Sequence, residues 1–187
     1  MKVTKQVVVS FILLVIIASL YRVMPERPFG FAPQFAMAIF GGAIFKDKKL
    51  SFLLPLLSMF LSDALYEIFY RNGISNIPGF YGGQLTNYIL FGLMTIFGFI
   101  ITKISFTRIF IASIAAPTTY FLLSNFLVWM NGGGLQRPKT LSGLLLCYND
   151  ALPFYAWSIA ATLIFSAVLF GAYYLSLSRI PSKTQIA

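Results

Sequence analysis

The chain has 187 residues, of which 58% are hydrophobic, 17% aromatic and only 10% charged, with a mean hydropathy of +0.82. Soluble domains carry about 25% charged residues because their surfaces face water, and 14 basic with 5 acidic side chains are too few to cover one. A net charge of +9 distributed between apolar runs sets membrane orientation instead of marking a nucleic-acid surface, so no nucleic-acid partner is expected. A single cysteine and the absence of histidine exclude an internal disulfide framework, a histidine-ligated metal or haem, and a histidine general base; no cofactor is expected.

At ~20 residues per transmembrane helix, the length predicts an all-α membrane protein: one integral domain over 1–187, built as a six-helix bundle. The first span, about 7–24, follows Lys2 and Lys5 and runs into Tyr21 and Arg22 without a small-residue cleavage site, so it reads as a retained helix and not a removed signal. The second, about 31–45, is short and begins in the Pro25, Pro28, Gly30, Pro33 cluster, which delays helix formation. The third, fourth and fifth run over about 50–70, 85–102 and 109–130. After a Gly-rich stretch comes a short apolar piece, 141–152, which Pro153 is expected to stop as a re-entrant or interfacial helix, and the last span covers about 156–177.

Basic residues divide unevenly between the two sides. Lys2, Lys5, Lys46, Lys48, Lys49, Lys103, Arg108, Arg179 and Lys183 share the side of the termini, against Arg22, Arg27, Arg71, Arg137 and Lys139 opposite. By the positive-inside rule both termini are expected in the cytoplasm. The inner connections are short and basic, whereas the outer ones, 25–34, 71–84 and 131–153, are long and rich in Gly, Pro, Asn and aromatics, which points to the outer face as the functional one.

Asp63 and Glu67 lie four apart in the outer half of the third span and so share a helix face. Ionisable groups inside a span are costly and mark function by default. The alternative is structural pairing, of Glu67 with Arg71 and of Asp63 with Arg22, Arg27 or a neighbouring hydroxyl. Gln34, Gln84, Thr86, Asn87, Ser124, Asn125, Asn149 and Asp150 also fall at the outer helix ends, a pattern of a one-sided cavity and not of a pore lined along its length. Tyr88, Trp129, Tyr148 and other aromatics interleave with them, as an interfacial belt or as walls for a planar ligand. The predicted solute contacts are Asp63 and Glu67 to a cationic or donor-rich group, Gln34, Asn87, Asn125, Asn149 and Asp150 as further polar contacts, and Tyr88, Trp129 and Tyr148 by stacking. Cys147 reads as packing. Small residues four apart, Ala32 with Ala36, Ala38 with Gly42, Ala112 with Ala116 and Ala156 with Ala160, suit close helix contact within the bundle or with a partner.

The segments Phe31-Ala32-Pro33-Gln34, Ala38-Ile39-Phe40-Gly41-Gly42-Ala43, Ser62-Asp63, Ser124-Asn125-Phe126-Leu127-Val128-Trp129 and Pro138-Lys139-Thr140-Leu141-Ser142-Gly143-Leu144, on to Ala151-Leu152-Pro153-Phe154, resemble an uncharacterised family of small bacterial membrane proteins. That family in turn resembles the substrate-binding S components of energy-coupling factor (ECF) transporters. The resemblance implies a six-helix protein of the bacterial inner membrane with an outward pocket for a vitamin or related micronutrient. It also implies a transmembrane coupling protein with ATPase subunits as partners. The first span departs from the S-component pattern of small residues four apart that dock the coupling protein, having only Ala18 as an alanine, so either docking falls to Ala32 and Ala36 of the second span or there is no coupling partner.

The expected function is therefore capture of a small organic solute for uptake, without catalysis. A structural or accessory subunit of a larger membrane complex is the alternative. An enzyme built on Asp63 and Glu67 ranks third, because nothing supplies an activated nucleophile or metal cage.

Overall fold

The computed structural model describes residues 5–178. It is all-helical: α1 (Lys5–Arg22), α2 (Gln34–Ile44), α3 (Lys48–Arg71), α4 (Gln84–Phe99), α5 (Phe106–Met130) and α6 (Leu141–Ser178). Three of these, α3, α5 and α6, are long and apolar enough to cross a membrane; α1, α2 and α4 are shorter apolar helices. Lys2, Arg179 and Lys183, used above to assign orientation, lie outside the described residues.

The helices begin where the sequence supplies a partner for their first N–H groups. Asp47 caps α3 by accepting from the Lys49 backbone N–H at 2.8 Å, and Ser105 caps α5 through the Arg108 N–H at 3.4 Å. Pro33 sits at the start of α2 and supplies its first carbonyl to the Met37 N–H at 2.9 Å. A proline needs no N–H at this position, which is why α2 starts at Gln34 and not at Phe31.

The short α2 is the central post. Every residue from Gln34 to Gly42 is buried, and the helix touches α3, α4, α5 and α6, while α1 leans on α3. Its 11 residues span ~16 Å at ~1.5 Å per residue, about half of a ~30 Å hydrocarbon core. Gly42 and Gly98 let α2 and α4 meet backbone to backbone: a Cβ on Gly98 would lie 2.7 Å from the Gly42 Cα and would strike the Ile39 carbonyl. Ala36, Ala38, Gly42, Ala112 and Ala116 are buried, so these small residues serve packing inside the bundle; Ala156 is exposed.

The outer helices turn large apolar groups away from this core. On α1, Phe11, Val15 and Ala18 are buried, whereas Val8, Val9, Ile12, Leu13, Ile16, Ile17 and Leu20 form an exposed stripe. Water penalises such a surface and hydrocarbon does not.

The predicted stop at Pro153 is corrected by the structure. Residues 141–152 and the last predicted span form one unbroken 38-residue helix with Pro153 inside it, which excludes a chain reversal there. Proline removes one helical hydrogen bond, here to the carbonyl of Asn149, but Asn149 and Pro153 are both exposed. The freed carbonyl is therefore not trapped in the core. Pro55 in α3 is buried, and Gly41 packs on the Ser51 carbonyl it releases, so closely that an added Cβ would lie 3.0 Å from that oxygen.

Candidate functional site

Antiparallel helix order gathers the end of α1, the start of α2, the end of α3 and the start of α4 at one end of the bundle. Arg22, in the last turn of α1, reaches α3 there. Its Nη1 donates to an Asp63 carboxylate oxygen, to Ser62 Oγ at 2.6 Å and to the Met59 carbonyl at 3.5 Å. The other Asp63 oxygen accepts from Gln84 Nε2 at 2.8 Å and from the Tyr88 hydroxyl at 2.6 Å. Asp63 is only 2% exposed, and its charge is tolerated because three donors surround it, one of them the oppositely charged Arg22.

Two loops close over this pair. Arg27 ties residues 23–33 together, donating through Nε to the Arg22 carbonyl at 3.1 Å and through Nη1 to the carbonyls of Pro28 and Phe31, at 3.2 and 2.6 Å. The Tyr66 hydroxyl donates to the same Arg22 carbonyl at 2.8 Å. Residues 72–83 are drawn onto α3 by Glu67, whose Oε1 accepts from Arg71 at 2.7 Å while Oε2 accepts from the Gly79 N–H at 3.2 Å and the Phe80 N–H at 3.4 Å. Gly79 sits so close to the Asp63 carbonyl and Glu67 N–H that no side chain fits.

Between the loops lies a pocket of about 240 Å³ lined by Arg22, Arg27, Phe29, Asp63, Tyr66, Ile77, Pro78 and Tyr81. Partial burial pushes the Tyr81 phenol above its usual pKa, so its hydroxyl stays protonated. That hydroxyl accepts from Asn87 Nδ2 at 2.8 Å, and Asn87 Oδ1 takes the Tyr120 hydroxyl, linking the pocket wall to α5.

The predicted contact residues divide into two groups. Asp63 and Tyr88 meet in the first network, with Glu67 at its rim and Asn87 beside Tyr81. Gln34 is buried beneath, its Nε2 3.5 Å from Ser58 Oγ and its Oε1 without a partner among the described residues. Asn125 and Trp129 belong to α5, and Tyr148, Asn149 and Asp150 to α6, and they line no part of this pocket. Asn125 bonds its own helix at the Phe121 carbonyl, 2.8 Å, and Tyr148 reaches the Leu122 carbonyl at 3.0 Å. Trp129 Nε1 holds the Pro138 carbonyl at 2.8 Å, Asp150 takes Arg137 in a two-pronged pair at 2.8 Å each, and Asn149 is exposed. The Trp129 and Asp150 contacts pin residues 131–140 across α5 and α6.

Sequence reasoning used Arg22 and Arg27 for orientation and as counter-charges, and did not place them in a pocket wall with Tyr66, Phe29, Ile77 and Pro78. The available signal was a basic residue closing the first apolar run on the side where Asp63 falls. A larger crevice of about 470 Å³ lies between α5 and α6 at the opposite end. Its walls are mostly apolar, and its buried Ser113 and Ser166 hydroxyls bond each other at 2.9 Å, so it offers less for recognising a polar solute. Among the described residues no three His, Cys, Asp or Glu side chains come together to hold a metal ion.

A family of unknown function, DUF6580, matches residues 2–183. The chain belongs to this family. No curated protein and no solved structure matches it.

Proposed function

We propose that this DUF6580 protein is a multi-pass membrane protein that captures a small organic solute in the Arg22–Asp63 pocket, as a non-catalytic binding component for uptake. The observation that carries this reading is the pocket itself: apolar and aromatic walls around a few placed polar groups, in the manner of small-molecule sites. At about 240 Å³ it falls below the ~300–1,000 Å³ of drug-sized pockets, so the solute is small, of the size of a vitamin fragment or precursor.

In this reading all six helices lie in a bacterial inner membrane with both termini cytoplasmic, and the pocket opens outward. The exposed apolar faces of α1 and α4 support that placement. At 38 residues, α6 runs ~57 Å, longer than the ~30 Å hydrocarbon core, so its first turns reach the outer interface. A transmembrane coupling protein with ATPase subunits would supply the energy for release, as the resemblance to S components implies.

A second reading, an accessory subunit without a ligand, draws on the way Asn125, Trp129, Tyr148 and Asp150 are engaged in internal contacts. Native mass spectrometry of the gently purified protein separates the two. A stoichiometric organic molecule released on denaturation is the expected result, whereas a ligand-free chain carrying a fixed membrane partner would favour the accessory subunit.

A further inference from the structure

We infer that the solute of this pocket is a small organic monoanion, a carboxylate on an apolar body, held by the free guanidinium edge of Arg22 and the remaining Nη2 of Arg27. This rests on the solute-binding reading above and names its substrate class. Of the predicted ligands for a cation, Asp63 has both oxygens occupied, by Arg22 on one and by Gln84 and Tyr88 on the other. Glu67 is likewise occupied, by Arg71 and two backbone N–H groups. A cation entering the pocket would meet carboxylates whose charge is already paired, Asp63 with Arg22 and Glu67 with Arg71.

Donors are what remain. Among the described residues Arg22 uses only Nη1, leaving Nε and Nη2, and Arg27 uses Nε and Nη1, leaving Nη2. The Tyr81 hydroxyl accepts from Asn87 and keeps its own proton to give. Arg22 is further fixed by the Tyr66 ring, 5.8 Å from its guanidinium, so its free edge is held in place before a ligand arrives. Planar guanidinium edges match a planar carboxylate.

Charge then limits the ligand to one negative unit. Arg22 and Arg27 against Asp63 leave the lining with a single net positive charge; a dianion such as a phosphate monoester would leave one charge uncompensated next to a buried carboxylate. Phe29, Ile77 and Pro78 would cover the apolar remainder.

The test uses the full chain in detergent with three matched probe sets: benzoate, phenylacetate and 4-methylpentanoate, their primary amides, and the corresponding amines. Ligand-observed NMR is expected to rank acids above amides and amines, and Arg27→Gln to weaken acid binding about tenfold or more, with a smaller loss for the amides, so that the preference for acids narrows. Should that variant not fold, the ranking on the unmodified protein still decides. Amides or amines binding as well as acids would overturn the charge assignment and leave solute binding standing. If no probe binds, the charge of the solute recovered by native mass spectrometry decides: an acid supports the assignment, and a neutral or cationic solute overturns it. Absence of both probe binding and recovered solute removes the solute-binding reading as well.

Discussion

Arg22 and Asp63, 41 residues apart, join the end of α1 to α3 through an ion pair in which the carboxylate is 2% exposed and the guanidinium 19%. The contact fixes the first helix to the bundle and places the free edge of Arg22 in the pocket wall. One pair thus serves both packing and the site.

Breaking it from one side leaves an uncompensated buried charge. Asp63→Ala and Arg22→Ala should each destabilise the protein by ~3–5 kcal/mol. The double variant should lose much less than the sum, because neither charge is then stranded. Unfolding in mixed micelles measures all three, and additive losses would show that the two side chains are not energetically paired.

Gly42 and Gly98 should tolerate no side chain. Where backbones meet, neither partner swings aside, and Gly98→Ala or Gly42→Ala is expected to cost ~1–3 kcal/mol as overpacking. Gly82, which has nothing within 4 Å of an added Cβ, is the control, and Gly82→Ala should stay within ~0.5 kcal/mol. Equal effects at the three positions would mean that α2 and α4 do not approach as described.

Pro153→Ala should leave α6 intact and stabilise it, by up to ~3 kcal/mol, the difference between proline and alanine in a helix interior. Circular dichroism with a melting curve reads this directly. A loss of stability would point instead to a turn at Pro153 that the protein needs.

The proposed topology makes a labelling prediction. In a Cys147→Ala background, Ser75→Cys on the 72–83 loop should react with a membrane-impermeant maleimide on intact cells, and Lys103→Cys only after lysis. The opposite pattern would invert the orientation and turn the pocket to the cytoplasm.

Much of the architecture was legible in the residues. Apolar runs give α1, α3, α4 and α5 within a few residues of their ends, because burying a helix in a bundle or a bilayer requires continuous apolar sequence. Asp63 stood out for a related reason: an ionisable group within such a run must have a partner. Pro153 misled because the missing N–H was weighed without the exposure of the carbonyl it frees. Phe31 was placed inside α2 because apolar character does not mark the boundary that Pro33 imposes.

What the sequence determined by itself was the helical class, the approximate bounds of most apolar helices and the concentration of polar groups at one end, all properties of local composition and period. Only the tertiary structure decided which polar groups meet. Arg22 and Tyr88 converge on Asp63 because α2 is short and buried, bringing α3 and α4 together around its start, whereas Trp129 and Asp150 fall on α5 and α6 and secure a loop there. The chemistry of the pocket follows from that division. Hydrogen bonds consumed in packing are no longer available to a ligand, and which donors are spent depends on contacts between residues distant in the chain.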